Sequence, residues 1–463
     1  MRMLSVVFVA VTPFASQAAP TYLGLYLQGH KIGYSSYATM SANFRGRRVE
    51  RSDTHTVMDT GLLGTPLHIE IDSRTFLGKD SKPLHMDFDM ESQGRRQTVR
   101  ADFGEKSVTV LVVNSGVRST RTLAMPIGPV VDDPMDLVLK GRSQVKCYVL
   151  DPSTVSFIPN EVRFIGKQKT QVGTRTVEAT VIDIEDPRAT TRVYLGRTGD
   201  VLRAEGPMGI TMVPETAAEA MKAGGRYTPD VDLAYSTSIA PEGRLDDPAD
   251  TTELKLGLSG RNLSSLPSDE TQSVSRVGDG WTIDVHPPRF SAGSTISEAG
   301  AQQRAWTKPD LDMPSDSAKF RELGKQIIGN NSRVGDAALA IKKWVYEHMR
   351  PNAGIGVLRD ASEILKTKEG VCRDYAVLTG TLLKSVGIPT RLASGLVDWD
   401  GTFYYHAWDE VWNGEGWIGV DSTTPDEQIS AAHVKLADGT VAQAFTVAVL
   451  DKVKIRILGS HGK

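Results

Sequence analysis

The first sustained change of period in the apolar residues of this chain comes near Ser315. From Thr21 to about Gly206 they recur at every second position in short runs, and from about Ser315 they recur at helical spacing. An alternating run buries one face of a strand and leaves the other wet, whereas a 3.6-residue repeat buries a stripe along a helix. Two such patterns kept apart along a chain predict an α+β protein, with antiparallel β-rich sequence first and mixed helix and sheet after it. With 463 residues and about 150 residues per domain as a prior, there is length for roughly three cores.

The runs Leu67–Ile71 (LHIEI) and Leu84–Met90 (LHMDFDM) are half-buried strands by this pattern. Gln93-Gly94 and Asn114-Ser115-Gly116 are turn signals, and Thr198-Gly199 joins two strand-like runs into a hairpin. Thr216–Ala223 offers a short helix. Residues 230–250, rich in Asp, Ser and Pro, are expected to be a linker, followed by strand-like runs at Glu253–Gly260 and Gly280–Pro287. The expected organisation is a signal segment at 1–19, a β-rich antiparallel domain at 20–229, a small β-unit with its linker at 230–312, and a catalytic domain at 313–463.

Composition narrows the partners. Apolar residues are 40% and charged residues 24%, ordinary for a globular protein, and 53 basic against 56 acidic residues leave a net charge of −3. That balance gives no electrostatic reason to expect nucleic acid. Arg2, the apolar run Leu4–Ala15 and the small residues at Ser16-Gln17-Ala18 have the layout of a secretory signal, so a secreted or periplasmic location is expected. Of two cysteines, Cys147 lies in a strand-like run, SQVKCYVLD, and reads as buried and inert.

The other cysteine stands in a different setting. Tyr375, Leu378, Leu382 and Val386 form the apolar stripe of a helix that ends at Gly387 and Pro389. Cys372 therefore falls in its first turn, where unpaired N–H groups and the helix dipole stabilise a thiolate. Farther on, Phe403–Trp412 and Trp417–Ser422 read as two strands joined by Asn413-Gly414-Glu415-Gly416. Alternation puts Tyr404, His406, Trp408 and Glu410 on one face of the first strand, and Trp417, Gly419 and Asp421 on one face of the second. A hairpin can thus set an imidazole beside a carboxylate, both facing the start of the Cys372 helix. In such a set the imidazole takes the thiol proton and the carboxylate orients the imidazole.

The blocks GVCRDYA, YYHAWDEVW and GWIGVDST, in this order, resemble those of the transglutaminase-like superfamily, over about Ser315 to Asp438. The resemblance implies a papain-like thiol fold with Cys372 as nucleophile, His406 as base and Asp421 as orienting acid. It implies a structural role at the helix start for Arg373 and Asp374. Two positions depart from the family pattern: Asp421 is followed by Ser422-Thr423 rather than Pro-Thr, and Asp409 stands where an apolar residue is usual. No acidic run resembles the calcium sites of the animal crosslinking enzymes, so calcium is not implied.

Trp408 and Tyr404, sharing the face of His406, are expected to shield the ion pair or line the acyl cleft. The Cys372 backbone N–H is the expected oxyanion donor; no second donor is assigned, and Trp344, weighed for that role, is expected instead to pack in the apolar face of its helix. No HExxH, CxxC or phosphate-binding glycine motif is present, so no metal or cofactor is expected. Asn262-Leu263-Ser264 matches a glycosylation sequon by pattern only. The activity expected is attack on an amide or peptide bond through a thioester, with hydrolysis favoured over crosslinking. A protein or peptide substrate follows, with a cell-envelope component as a further partner. The alternative is a non-catalytic envelope scaffold that binds through its β-rich part.

Overall fold

The computed structural model describes residues 19–463 apart from 93, 115–116, 136, 138–142, 173–174, 188–189, 223–231, 261–265, 311, 355–358, 445–452 and 463. The signal expected at 1–19 therefore lies almost wholly outside the described residues. So do Gln93, Ser115 and Gly116 of the expected turns, the boundary at 229/230 and the sequon at 262–264. The chain forms two compact units, one ending at Ser236 and the other comprising 237–353 and 359–463.

The first unit is built on a fourteen-stranded antiparallel sheet. Eight strands from Thr21 to Ala124 run as one meander and six from Gln144 to Glu215 as another. Thr21–Leu27 joins them by pairing with both His30–Phe44 and Ile210–Glu215. The alternation in sequence is visible as burial: Val108, Val110 and Val112 are inside, as are Met86, Phe88 and Met90, while Asp87 and Asp89 between the latter face outward. Cys147 is buried, and loss of solvent, with the Asp133 carboxylate, pushes its thiol up to about 12, which keeps it from forming a thiolate at neutral pH.

In the second unit, β1 (Thr251–Ser259), β2 (Gln272–Val277) and β3 (Gly280–Val285) share a four-stranded sheet with the last strand of the chain, Lys454–Gly462. Among the helices that follow are α1 (Ala318–Ile328), α2 (Val334–His348), α3 (Ala361–Thr367) and α4 (Cys372–Ser385). A second antiparallel sheet is made of β4 (Thr390–Trp399), β5 (Thr402–Trp412), β6 (Trp417–Val420) and β7 (His433–Gly439), in the order β6-β5-β4-β7. Helix α4 packs against this sheet. Gly380, in the middle of α4, allows the approach: a Cβ there would lie 2.7 Å from Asp409 Oδ1 on β5. All seven tryptophans belong to this unit, so their fluorescence reports its folding alone.

Candidate active site

Cys372 is the first residue of α4, so its backbone N–H has no acceptor within the helix. The helix start is held from behind. Asp374 Oδ2 accepts the Val371 N–H at 2.9 Å, and its Oδ1 meets the guanidinium of Arg359 at 3.0 Å. Arg359 also donates to Thr367 Oγ1 at 2.9 Å and to the Glu369 carbonyl at 2.5 Å, and both ionic side chains are buried. Arg373 Nη2 is 3.6 Å from the same carboxylate.

The strands bring the other groups to this point. His406 on β5 pairs directly with Gly395 on β4, where a side chain would collide with the Val434 carbonyl. The last ladder pair of β6 joins Val420 to Asp409, so the strand expected to reach Ser422 stops two residues earlier. Asp421 leaves the ladder because its own carboxylate turns the chain: Oδ1 accepts the Thr423 N–H at 2.8 Å and the Thr423 hydroxyl at 2.7 Å. Oδ2 accepts from His406 Nε2 at 2.8 Å. That contact leaves His406 Nδ1 for the thiol of Cys372, to which the ring is hydrogen-bonded. The Ala407 backbone N–H donates to the same sulfur.

The charges follow from these contacts. Burial opposes ionisation of Cys372, but the His406 ring beside it outweighs burial and brings the thiol down to about 7. Burial likewise works against a charged His406, while Asp421 and the Cys372 sulfur raise it to about 10. Asp421 is held well below the usual carboxylate range despite its burial, by His406 and by a second imidazole, that of His433. Nothing in the spacing of the sequence motifs pointed to His433, which starts β7 and places Nε2 3.3 Å from Asp421 Oδ2.

Trp408 is buried, with its ring nearly parallel to His406 at 6.4 Å and edge-on to His433 at 5.3 Å. Tyr404 is half-buried, one step along the same face and paired with Val397. Trp344 stacks on His348 at 4.3 Å, beneath the Lys368 ammonium at 5.6 Å. Glu410, on the His406 face, belongs to a buried ionic cluster: Lys435 Nζ lies 2.8 Å from Glu410 and 2.5 Å from Asp269, and Arg391 bridges the same two carboxylates.

Among the described residues three sets bring metal-type donor atoms within 4.8 Å of one another: His406, Asp421 and His433; His55, Glu70 and Asp72; and Asp269, Glu410 and Asp438. In each set donors are already engaged. The first is closed by the imidazole–carboxylate bonds, the second by His55 Nδ1 on Asp72 at 2.9 Å, and the third by Lys435 and Arg391.

Asp409 sits on the opposite face of β5, buried, with no hydrogen-bond partner on either oxygen. Burial raises its carboxyl well above the ordinary value, against the attraction of Lys384, so the fold keeps a proton that the unfolded chain releases. Its contribution to stability is complete below about pH 4 and is lost as pH rises through the folded value. Asp409→Asn should therefore raise the unfolding midpoint followed by tryptophan fluorescence. The gain should grow from pH 5 to pH 8 and reach about 1–3 kcal/mol. An unchanged or lower midpoint at pH 8 would show that the carboxyl is already compensated.

Residues 321–422 match the sequence profile of the transglutaminase-like superfamily. ML0607, an uncharacterised protein of Mycobacterium leprae, is 31% identical over 132 residues, which is 27% of this chain and 46% of that protein. The match thus spans less than half the length of this curated relative. Two solved structures are similar in part. A candidate cysteine protease from Cytophaga hutchinsonii is 18% identical, covering 46% of this chain and 86% of its own, with a TM-score of 0.33. A β-barrel-like protein of a domain of unknown function from Brucella abortus is 12% identical, covering 44% and 98%, with a TM-score of 0.32. The C-terminal part of this chain therefore carries a transglutaminase-like domain, and Cys372, His406 and Asp421 all lie within the matched segment.

Proposed function

We propose that the protein is an exported cysteine-dependent enzyme that opens an amide bond of a protein or peptide substrate through a thioester. The observation that carries this reading is the His406 ring, bonded at once to the Cys372 sulfur and, at 2.8 Å, to Asp421. In the reading, the Cys372 thiolate attacks the amide carbon and the carbonyl oxygen takes up the negative charge. The Cys372 N–H at the start of α4 faces that oxyanion. His406 gives its proton to the nitrogen as the C–N bond breaks, and the amine leaves. Water then attacks the thioester while His406 takes a proton from it, which releases the acid and restores the thiolate. Tyr404, half-buried beside His406, contacts the acyl group, and Trp408 keeps solvent from the ion pair.

Water is the favoured acceptor over a second amine, because Cys372 and His406 both keep part of their surface exposed. Activity should rise with pH as Cys372 ionises near about 7 and fall as His406 loses its proton near about 10. The test is release of amine from a panel of simple peptide amides, with and without an added primary amine. Cys372→Ala should abolish release. An unchanged rate in that variant would refute thiol catalysis, and product that incorporates the added amine in preference to water would refute hydrolysis.

A further inference from the structure

We propose that His433 is a positioning residue of the thiol centre, a second imidazole that holds Asp421 by the same oxygen that His406 uses. The proposal rests on the reading of Cys372 as nucleophile and His406 as its base.

The carboxylate of Asp421 is held on every side. Oδ1 accepts two bonds from Thr423, and Oδ2 accepts from His406 Nε2 at 2.8 Å and from His433 Nε2 at 3.3 Å. With two donors on each oxygen the group cannot rotate without losing bonds in a buried site, where an unmet charge is costly. His433 is itself fixed. Its Nδ1 lies 3.2 Å from the Ser430 carbonyl, and the edge-on ring of Trp408 packs against it. Its strand is pinned to β4, His433 to Val397, and two residues later Lys435 anchors it in the buried cluster with Glu410 and Asp269. The imidazole thus projects from an edge strand held by its pairing with β4 and by the buried Lys435 cluster, which suits a group that must hold a carboxylate in place.

The bond from His433 favours the ionised carboxylate, the ionised carboxylate favours a charged His406, and a charged His406 favours the Cys372 thiolate. Loss of the donor from His433 should therefore be felt three groups away, at the sulfur. Among the described residues, the other titratable groups that act on Asp421 are Lys342 on α2 and Asp409 on the far face of β5.

Two amide side chains separate this role from mere packing. Glutamine can place its N–H where His433 Nε2 stands and so still reach Asp421. Asparagine places its amide near the Nδ1 position, keeps the Ser430 side and falls short of the carboxylate. The measurement is the rate of iodoacetamide alkylation of Cys372 against pH, in the full chain and in His433→Gln, His433→Asn and His433→Leu. Circular dichroism and tryptophan fluorescence verify folding.

His433→Asn and His433→Leu should shift the thiolate titration upward, so that alkylation near pH 6 falls about tenfold, equivalent to one pKa unit. His433→Gln should stay within about twofold of the parent. A profile in folded His433→Asn that superimposes on the parent would overturn the proposal, and so would a His433→Gln profile displaced as far as that of His433→Asn. Failure of the underlying reading looks different: Cys372 in the parent chain would then titrate as an ordinary thiol.

Discussion

With His406 replaced by alanine, Cys372 is expected to behave as an ordinary, partly buried thiol. Burial alone raises its pKa; what brings it down to about 7 is the His406 ring, by charge and by hydrogen bond. Without the ring, the pKa should return at least to the unperturbed value of 9.0. Two units are a factor of about a hundred in thiolate at any pH well below both values, or ~2.7 kcal/mol. Alkylation by iodoacetamide at pH 6 should slow by about that factor, and the midpoint should move above pH 9. Asp421→Asn should move the same way by a smaller step, because it removes the carboxylate charge but leaves a polar group near His406 Nε2. A His406→Ala profile identical to that of the parent would mean that the sulfur and the imidazole do not form an ion pair in solution.

The largest effect on stability is expected at Arg359. Its guanidinium is fully buried and binds Asp374 Oδ1, Thr367 Oγ1 and the Glu369 carbonyl. Asp374 in turn accepts the Val371 N–H that opens α4. Arg359→Met keeps much of the volume and removes the charge, leaving the Asp374 carboxylate buried with only the more distant Arg373 as a counter-ion, at 3.6 Å. Breaking one side of a buried ion pair costs about 3–5 kcal/mol. The unfolding transition reported by tryptophan fluorescence should drop accordingly, while the first unit, which has no tryptophan, is silent in this signal. Because Val371 precedes Cys372, alkylation should also slow in the folded variant. A loss below about 1 kcal/mol would show that Arg373 can take over the role.

Much of this architecture can be read from the order of residues, for physical reasons that also mark where the reading stops. Alternation in Leu84–Met90 is a property of one strand and is visible locally, and so is the apolar stripe of α4. The cysteine at the helix start and the hairpin carrying His406 are local as well, and the superfamily resemblance reaches them both. Strand β2, with Ser273, Ser275 and Arg276 largely exposed, has too little apolar signal to stand out. The closing strand Lys454–Gly462 pairs with β1 across some two hundred residues, a link that no window of sequence contains.

The same division runs through the site. His433 belongs to another strand, and only the sheet order brings it to Asp421. The Ala407 N–H at the sulfur is a backbone group, which no side-chain motif reports. The expected strand through Ser422 overran because alternation continues in type at Asp421, whereas the carboxylate bond to the Thr423 N–H ends the ladder there.

In the proposed reaction the Cys372 sulfur carries an acyl group during turnover. The most direct measurement is to mix the full chain with p-nitrophenyl acetate, follow the release of nitrophenolate in the first turnover, quench in acid and map the acetyl group by mass spectrometry. The predicted result is a burst of one equivalent per chain with the acetyl on the Cys372 peptide, absent in Cys372→Ala and slowed in His406→Ala. Nitrophenolate released without a burst, at the same rate in Cys372→Ala and with no acetyl on that peptide, would contradict it.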